Sequence, residues 1–67
     1  MAISMKAARV NANLTQLEAA QALGISKNTL SAYESMRTIP QIDMAQKMAS
    51  LYGLTVDQII FLPTSCA

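Results

Sequence analysis

Three polar side chains near the middle of the chain, Lys27, Asn28 and Ser31, could do recognition chemistry. At helical spacing they share one face, and each can donate a hydrogen bond to an acceptor on a base edge or a phosphate. A lysine can donate to guanine O6 and N7, and an asparagine can pair with adenine N6 and N7. Ala32 and Ser35 lie on the same face and add no bulk, so a helix carrying them can approach a groove closely. The major groove is about 12 Å wide and admits one α-helix. Taken by itself, such a face is more often an ordinary solvated surface.

Catalysis and metal binding have little to start from. The chain has no His and a single Cys, so a structural zinc site lacks its usual ligands. No nucleophile–base pair and no ligand cluster occurs, so neither an enzyme nor a metal or other cofactor is expected. Sixty-seven residues make one domain, burying only about 60% of its unfolded surface. Five Lys and Arg against four Asp and Glu give a net charge of +1, which excludes a polybasic tail and an acidic disordered segment alike. The hydrophobic fraction is 52%, but it is rich in Ala and Met, with only two Tyr and one Phe. That composition favours a closely packed helical domain. Cys66 cannot form an internal disulfide, which points to a reducing, cytoplasmic setting. No apolar run reaches the ~18–20 residues of a membrane span, and the first residues lack the pattern of a signal peptide.

The elements that must position the polar face follow from the punctuation at Gly24, Pro40, Gly53 and Pro63. A first helix is predicted over about 3–12, with Met5, Ala8 and Ala12 as its apolar stripe and Asn11 and Asn13 as terminators. A second covers about 16–23. Thr15 and Glu18 form its capping box, Leu17, Ala20 and Leu23 its buried side, and Gly24 its end. A third, over about 27–35, starts at the cap residue Ser26 and turns Leu30, Tyr33 and Glu34 inward. A fourth spans about 42–52, with Ile42, Ala45, Met48, Ala49 and Tyr52 in register, and Gly53 ends it. The fifth, over about 56–61, follows a second capping box, Thr55 with Gln58. Its Ile59–Leu62 cluster also fits a strand, but the capping box favours helix. Residues 63–67 are expected to fray.

A helix, a three-residue turn at Gly24 and a second helix have helix-turn-helix spacing. From about Met5 to Ile60 the sequence resembles a helix-turn-helix domain of the phage repressor and Cro type, the XRE-like family. The resemblance is carried by Leu14-Thr15-Gln16, Ala20, Leu23-Gly24-Ile25-Ser26, Thr29-Leu30, Glu34, Pro40 and Leu51-Tyr52-Gly53-Leu54-Thr55-Val56-Asp57. It implies an all-α fold: a compact five-helix lambda-repressor-like domain with a central helix-turn-helix.

The resemblance also implies roles. The partner would be double-stranded DNA, bound sequence-specifically by a transcriptional regulator, repressor-like in kind. Lys27, Asn28, Ser31 and Ala32 would face bases, Ala32 through apolar contact with a thymine methyl. Gln16, Ser26, Thr29 and Arg37 would contact phosphates, Ser26 while also capping its helix. Arg9 and Glu34 match an internal ion pair of the family, with a phosphate contact the other reading of Arg9. Met36 stands where relatives commonly have Gly, so an altered turn is expected after the third helix, and Met36 itself is expected at the surface. Ile59, Phe61 and Leu62 would form a homodimer interface, placing two recognition helices about 34–36 Å apart; the alternative is that Phe61 folds back onto its own core. The low charge leaves about two or three phosphates per chain to neutralise, which calls for two copies. It also keeps open a second function, a protein-interaction module of antitoxin-like type with little DNA binding of its own.

Overall fold

The computed structural model describes residues 2–62. Its helices are short, and their ends are fixed by local hydrogen bonds. Helix α1 (Met5–Asn11) begins where Ser4 Oγ accepts from the Ala7 amide at 3.0 Å. It stops as Asn13 takes a left-handed φ of 60°, a conformation that Asn tolerates better than most residues. Helix α2 (Gln16–Leu23) opens on the expected capping box. Glu18 N–H donates to Thr15 Oγ1 at 3.1 Å, and Thr15 N–H donates to Glu18 Oε1 at 2.8 Å. It closes on Gly24 at φ 74°, where an added Cβ would meet no atom within 4 Å, so the need for Gly there is conformational. Helix α3 (Lys27–Glu34) is capped by Ser26, whose Oγ accepts from the Thr29 amide at 3.1 Å. Helix α4 (Ile42–Tyr52) ends at Gly53, φ 75°.

The ends of the chain depart from the sequence prediction. Four α-helices are present among the described residues, not five. The fifth segment is a single 3-10 turn (Val56–Gln58) leading into strand β2 (Ile59–Ile60). The first helix is shorter than predicted because Ile3–Ser4 form strand β1, which pairs in parallel with β2: Ile3 opposite Ile59 and Ser4 opposite Ile60. The Gln58 half of the second capping box forms, with Thr55 N–H donating to Gln58 Oε1 at 2.9 Å, while the Thr55 hydroxyl turns to Asp57. Two consecutive β-branched residues favour extended backbone at that point. The paired ribbon satisfies amides that one more helical turn would have left frayed. The frayed tail expected over 63–67 lies outside the described residues.

The core is built mostly from small and flexible side chains: Met5, Ala8, Ala19, Ala20, Leu23, Leu30, Met48, Ala49, Tyr52 and Ile59. Alanines on α1, α2 and α4 let the helices approach closely around Leu30, which is fully buried. Two apolar positions predicted inside lie outside. Leu17 is 53% exposed, because α2 turns Ala19, Ala20 and Leu23 inward. Ile42 is 66% exposed, because α4 starts beyond the edge of the core. Met36, expected at the surface, is half-buried against the core.

The ribbon generates a prediction. Ile59 is buried and Leu62 exposed. Ile59→Ala is expected to cost about 2–5 kcal/mol of stability. Leu62→Ala should cost less than about 0.5 kcal/mol, both read from urea midpoints at unchanged slope.

Candidate nucleic-acid interface

The outer face of α3 is held outward by what its inner face does. Leu30 anchors the helix in the core, and Glu34 ties its last turn to α1. Arg9 Nε donates to Glu34 Oε2 at 2.7 Å, and Arg9 Nη2 donates to Glu34 Oε1 at 3.3 Å. Arg9 Nη1 donates to the Leu14 carbonyl at 2.8 Å, so the guanidinium also fixes the loop that leads into α2. The pair is largely buried, its side chains 10% and 5% exposed, which assigns Arg9 to the fold rather than to the surface. Glu34 Oε1 accepts a third bond, from Gln16 Nε2 at 3.0 Å. The first residue of α2 is thereby oriented by the last residue of α3.

With the inner face so engaged, Lys27 and Asn28 are fully outward, and Ser31 and Ala32 lie half-buried one turn on. Ser26 and Thr29 are joined at the start of the helix, their hydroxyl oxygens 2.9 Å apart. After α3, Met36 adopts φ 62°, in the left-handed region that a Gly enters without steric cost. An L-residue there costs about 1–2 kcal/mol. The amides of Met36, Arg37 and Thr38 are turned back to the carbonyls of Tyr33 and Ala32, capping the helix, and so are committed within the fold. Arg37 lies against this turn, its Nε donating to Ser35 Oγ at 3.1 Å.

One residue was missed in the sequence. Lys6, Gln16, Ser31, Glu34 and Ser35 line one open cleft of about 300 Å³ between α1 and α3. Lys6 sits off the apolar stripe of α1, and only the packing angle of α1 on α3, which the sequence does not encode locally, brings it beside the outer face of α3. Lys47, by contrast, lies on the α2–α4 side, with Nζ 3.5 Å from the Leu23 carbonyl. No group of three or more His, Cys, Asp or Glu able to hold a metal occurs among the described residues.

The residues expected at a dimer interface are divided by the fold. Ile59 is in the core, Phe61 packs half-buried against it, and Leu62 is exposed. Phe61 thus folds back in part, the alternative left open above. A second apolar groove of about 450 Å³ opens beside them, with Ile39, Ile42, Val56, Ile60, Phe61 and Leu62 among its walls.

A family model described as helix-turn-helix matches residues 5–59. The chain belongs to the helix-turn-helix family. This helix-turn-helix chain is 35% identical over 52 residues to the cryptic phage CTXphi transcriptional repressor RstR of Vibrio cholerae, covering 78% of the chain and 47% of that protein. It is 39% identical over 56 residues to the transcriptional regulator ImmR of Bacillus subtilis, covering 84% of the chain and 44% of that protein. An uncharacterized helix-turn-helix regulator of Methanocaldococcus jannaschii, MJ0272, is 36% identical over 47 residues, 70% of this chain and 71% of its own. The chain thus spans under half the length of the first two relatives. No solved structure gives a significant match. No described helix is long and apolar enough to cross a membrane.

Two predictions concern the buried polar groups of this helix-turn-helix. Glu34→Ala, which leaves the Arg9 charge buried without its carboxylate, is expected to cost about 3–5 kcal/mol, measured by chemical denaturation. The Tyr52 hydroxyl is buried with no hydrogen-bond partner among the described residues. Burial first, then the nearby Glu34 charge, pushes its pKa up from 10.0 to about 12, with Arg9 opposing. Its folded pKa is raised, so the stability it contributes is complete below pH 10 and lost as pH rises from there through about 12. Ultraviolet titration of the phenolate should place the midpoint. Tyr52→Phe, which removes the orphaned hydroxyl, should leave stability at pH 7 unchanged or higher.

Proposed function

We propose that this domain binds double-stranded DNA sequence-specifically, laying α3 in the major groove, and that it acts as a homodimeric transcriptional regulator of the repressor type in the cytoplasm. The observation carrying this is the outer face of α3. Lys27 and Asn28 stand outward and Ser31 and Ala32 follow one turn on, with no large apolar side chain among them. Lys27 and Asn28 donate to base edges, Ser31 adds a hydroxyl, and Ala32 offers apolar contact to a thymine methyl. Gln16, Ser26, Thr29 and Arg37 take backbone phosphates on either side. Family membership and the similarity to two relatives, a transcriptional repressor and a transcriptional regulator, support the same reading.

The charges divide to match. Arg9 is used inside the fold, and Lys47 lies on the far side of α2. Lys27 is assigned to bases, which leaves Lys6 and Arg37, so each chain neutralises about two phosphates and the log–log salt slope per chain is about −1.8. Binding of useful affinity then needs two copies. The groove beside Ile39, Ile42 and Leu62, all exposed large apolar residues, is the surface we assign to the second copy. Ile39 follows the last residue of α3 by five positions. A dimer on DNA must place its two recognition helices in successive major grooves.

Selection from randomised duplex DNA at about 100 mM salt is the test. An enriched palindrome with half-sites about 10–10.5 base pairs apart is expected. Lys27→Ala should weaken binding by about 1–3 kcal/mol and relax the preference at one base pair. No enriched sequence, together with a silent Lys27→Ala, would sink the proposal. For the dimer, Ile42→Asp should stay folded but sediment as a monomer and lose affinity for the palindrome. A wild-type protein that binds the site as a single copy refutes the dimer.

A further inference from the structure

The exit from α3 joins two side chains that a continuing helix would have kept apart. Residues two apart on a helix do not face each other, so Ser35 and Arg37 would not meet if α3 ran on. Met36 between them takes φ 62°, and this reversal brings the Ser35 hydroxyl and the Arg37 guanidinium to one side of the turn. Ser35 Oγ donates to the Ala32 carbonyl at 3.3 Å, and the same carbonyl accepts from the Arg37 and Thr38 amides at 3.0 and 3.4 Å. A hydroxyl has a single proton to give. With that proton committed to Ala32, the Ser35 oxygen turns its lone pairs outward, and Arg37 Nε donates to it at 3.1 Å. One edge of the guanidinium is thereby fixed. Nη1 and Nη2 carry the other four N–H groups, and they donate to no acceptor among the described residues. Arg37 is exposed and forms no ion pair among those residues. Ser35 lines the same cleft as Ser31, so the anchored guanidinium lies at the edge of the outer face of α3.

We propose that Ser35 is a positioning residue for DNA binding: it holds Arg37 by Nε, so that the end of the guanidinium carrying Nη1 and Nη2 meets a backbone phosphate already oriented. The inference rests on the DNA-binding reading above, takes the contact of Arg37 with a phosphate from it, and adds Ser35. A planar fork of donors matches phosphate oxygens only when its plane is set correctly. Ser35 sets that plane before the duplex arrives, which lowers the ordering cost of binding. Few cations of this chain stand outside the fold, so the orientation of each weighs on affinity.

The experiment measures affinity for the selected duplex across a range of salt concentrations. Ser35→Ala should bind roughly two- to tenfold more weakly, the cost of ordering one long side chain on binding. Its salt slope should match the wild type, because the guanidinium charge is still there. Arg37→Gln should make the slope per chain shallower by about 0.9. Ser35→Thr, which keeps the hydroxyl, should bind like the wild type. Placed in the Arg37→Gln background, Ser35→Ala should have no further effect, since the group it acts through is gone. Circular dichroism melts establish that each variant is folded. If Ser35→Ala binds like the wild type, or weakens Arg37→Gln as much as it weakens the wild type, Ser35 does not act through Arg37. If Arg37→Gln keeps the full slope, the contact that Ser35 serves does not exist. In either case the positioning role is wrong while the DNA-binding reading stands. If the wild-type protein selects no duplex at all, both fall together.

Discussion

Everything outward-facing in this domain depends on the buried pair of Arg9 and Glu34. It joins the first helix to the third at 2.7 Å, and through the Leu14 carbonyl and Gln16 it reaches the second helix as well. Burying two charges is costly, and an apolar pair of similar shape would often serve stability equally well. What such an apolar pair cannot supply is direction. A fork of guanidinium donors fixes the rotation of α1 relative to α3 and gives the Gln16 amide a definite orientation. A core of alanines and methionines, which packs tolerantly, gains a unique arrangement from this one directional contact.

The helix ends do the rest of the positioning. Ser26 and Gly24 start α3 at a defined angle to α2, and Met36 in the left-handed region ends it sharply. Because the amides after α3 are spent on capping, the proposed DNA contacts fall to side chains, among them the few cations that the fold leaves outside. A net charge of +1 is compatible with a nucleic-acid partner for that reason. The acids sit in a capping box at Glu18, in the buried pair at Glu34, and near the starts of later elements at Asp43 and Asp57.

Much of this was legible in the sequence, and the exceptions have physical causes. The four helices, the capping box at Thr15, the turn at Gly24 and the Arg9–Glu34 pair follow from local signals and from the family resemblance. Leu17 and Ile42 were assigned inward because periodicity alone cannot fix where a helix face meets the core. Met36 enters the left-handed region where the resemblance expects Gly, at a cost of about 1–2 kcal/mol. The ribbon of Ile3–Ser4 with Ile59–Ile60 was missed because each strand is two residues long and pairs with one at the other end of the chain. Lys6 was missed because its neighbours come from two other helices, α2 and α3.

That ribbon has a consequence for the birth of the protein. Strands this short hold no structure alone, so Ile3 and Ser4 can settle only after Ile59 and Ile60 have been made. At about 5–20 residues per second, roughly 3–11 s separate the synthesis of β1 from that of β2. In that interval α1 can already meet α3 through Arg9 and Glu34, but the side of it that β2 covers stays open. The ribbon is therefore among the last contacts of the domain to form.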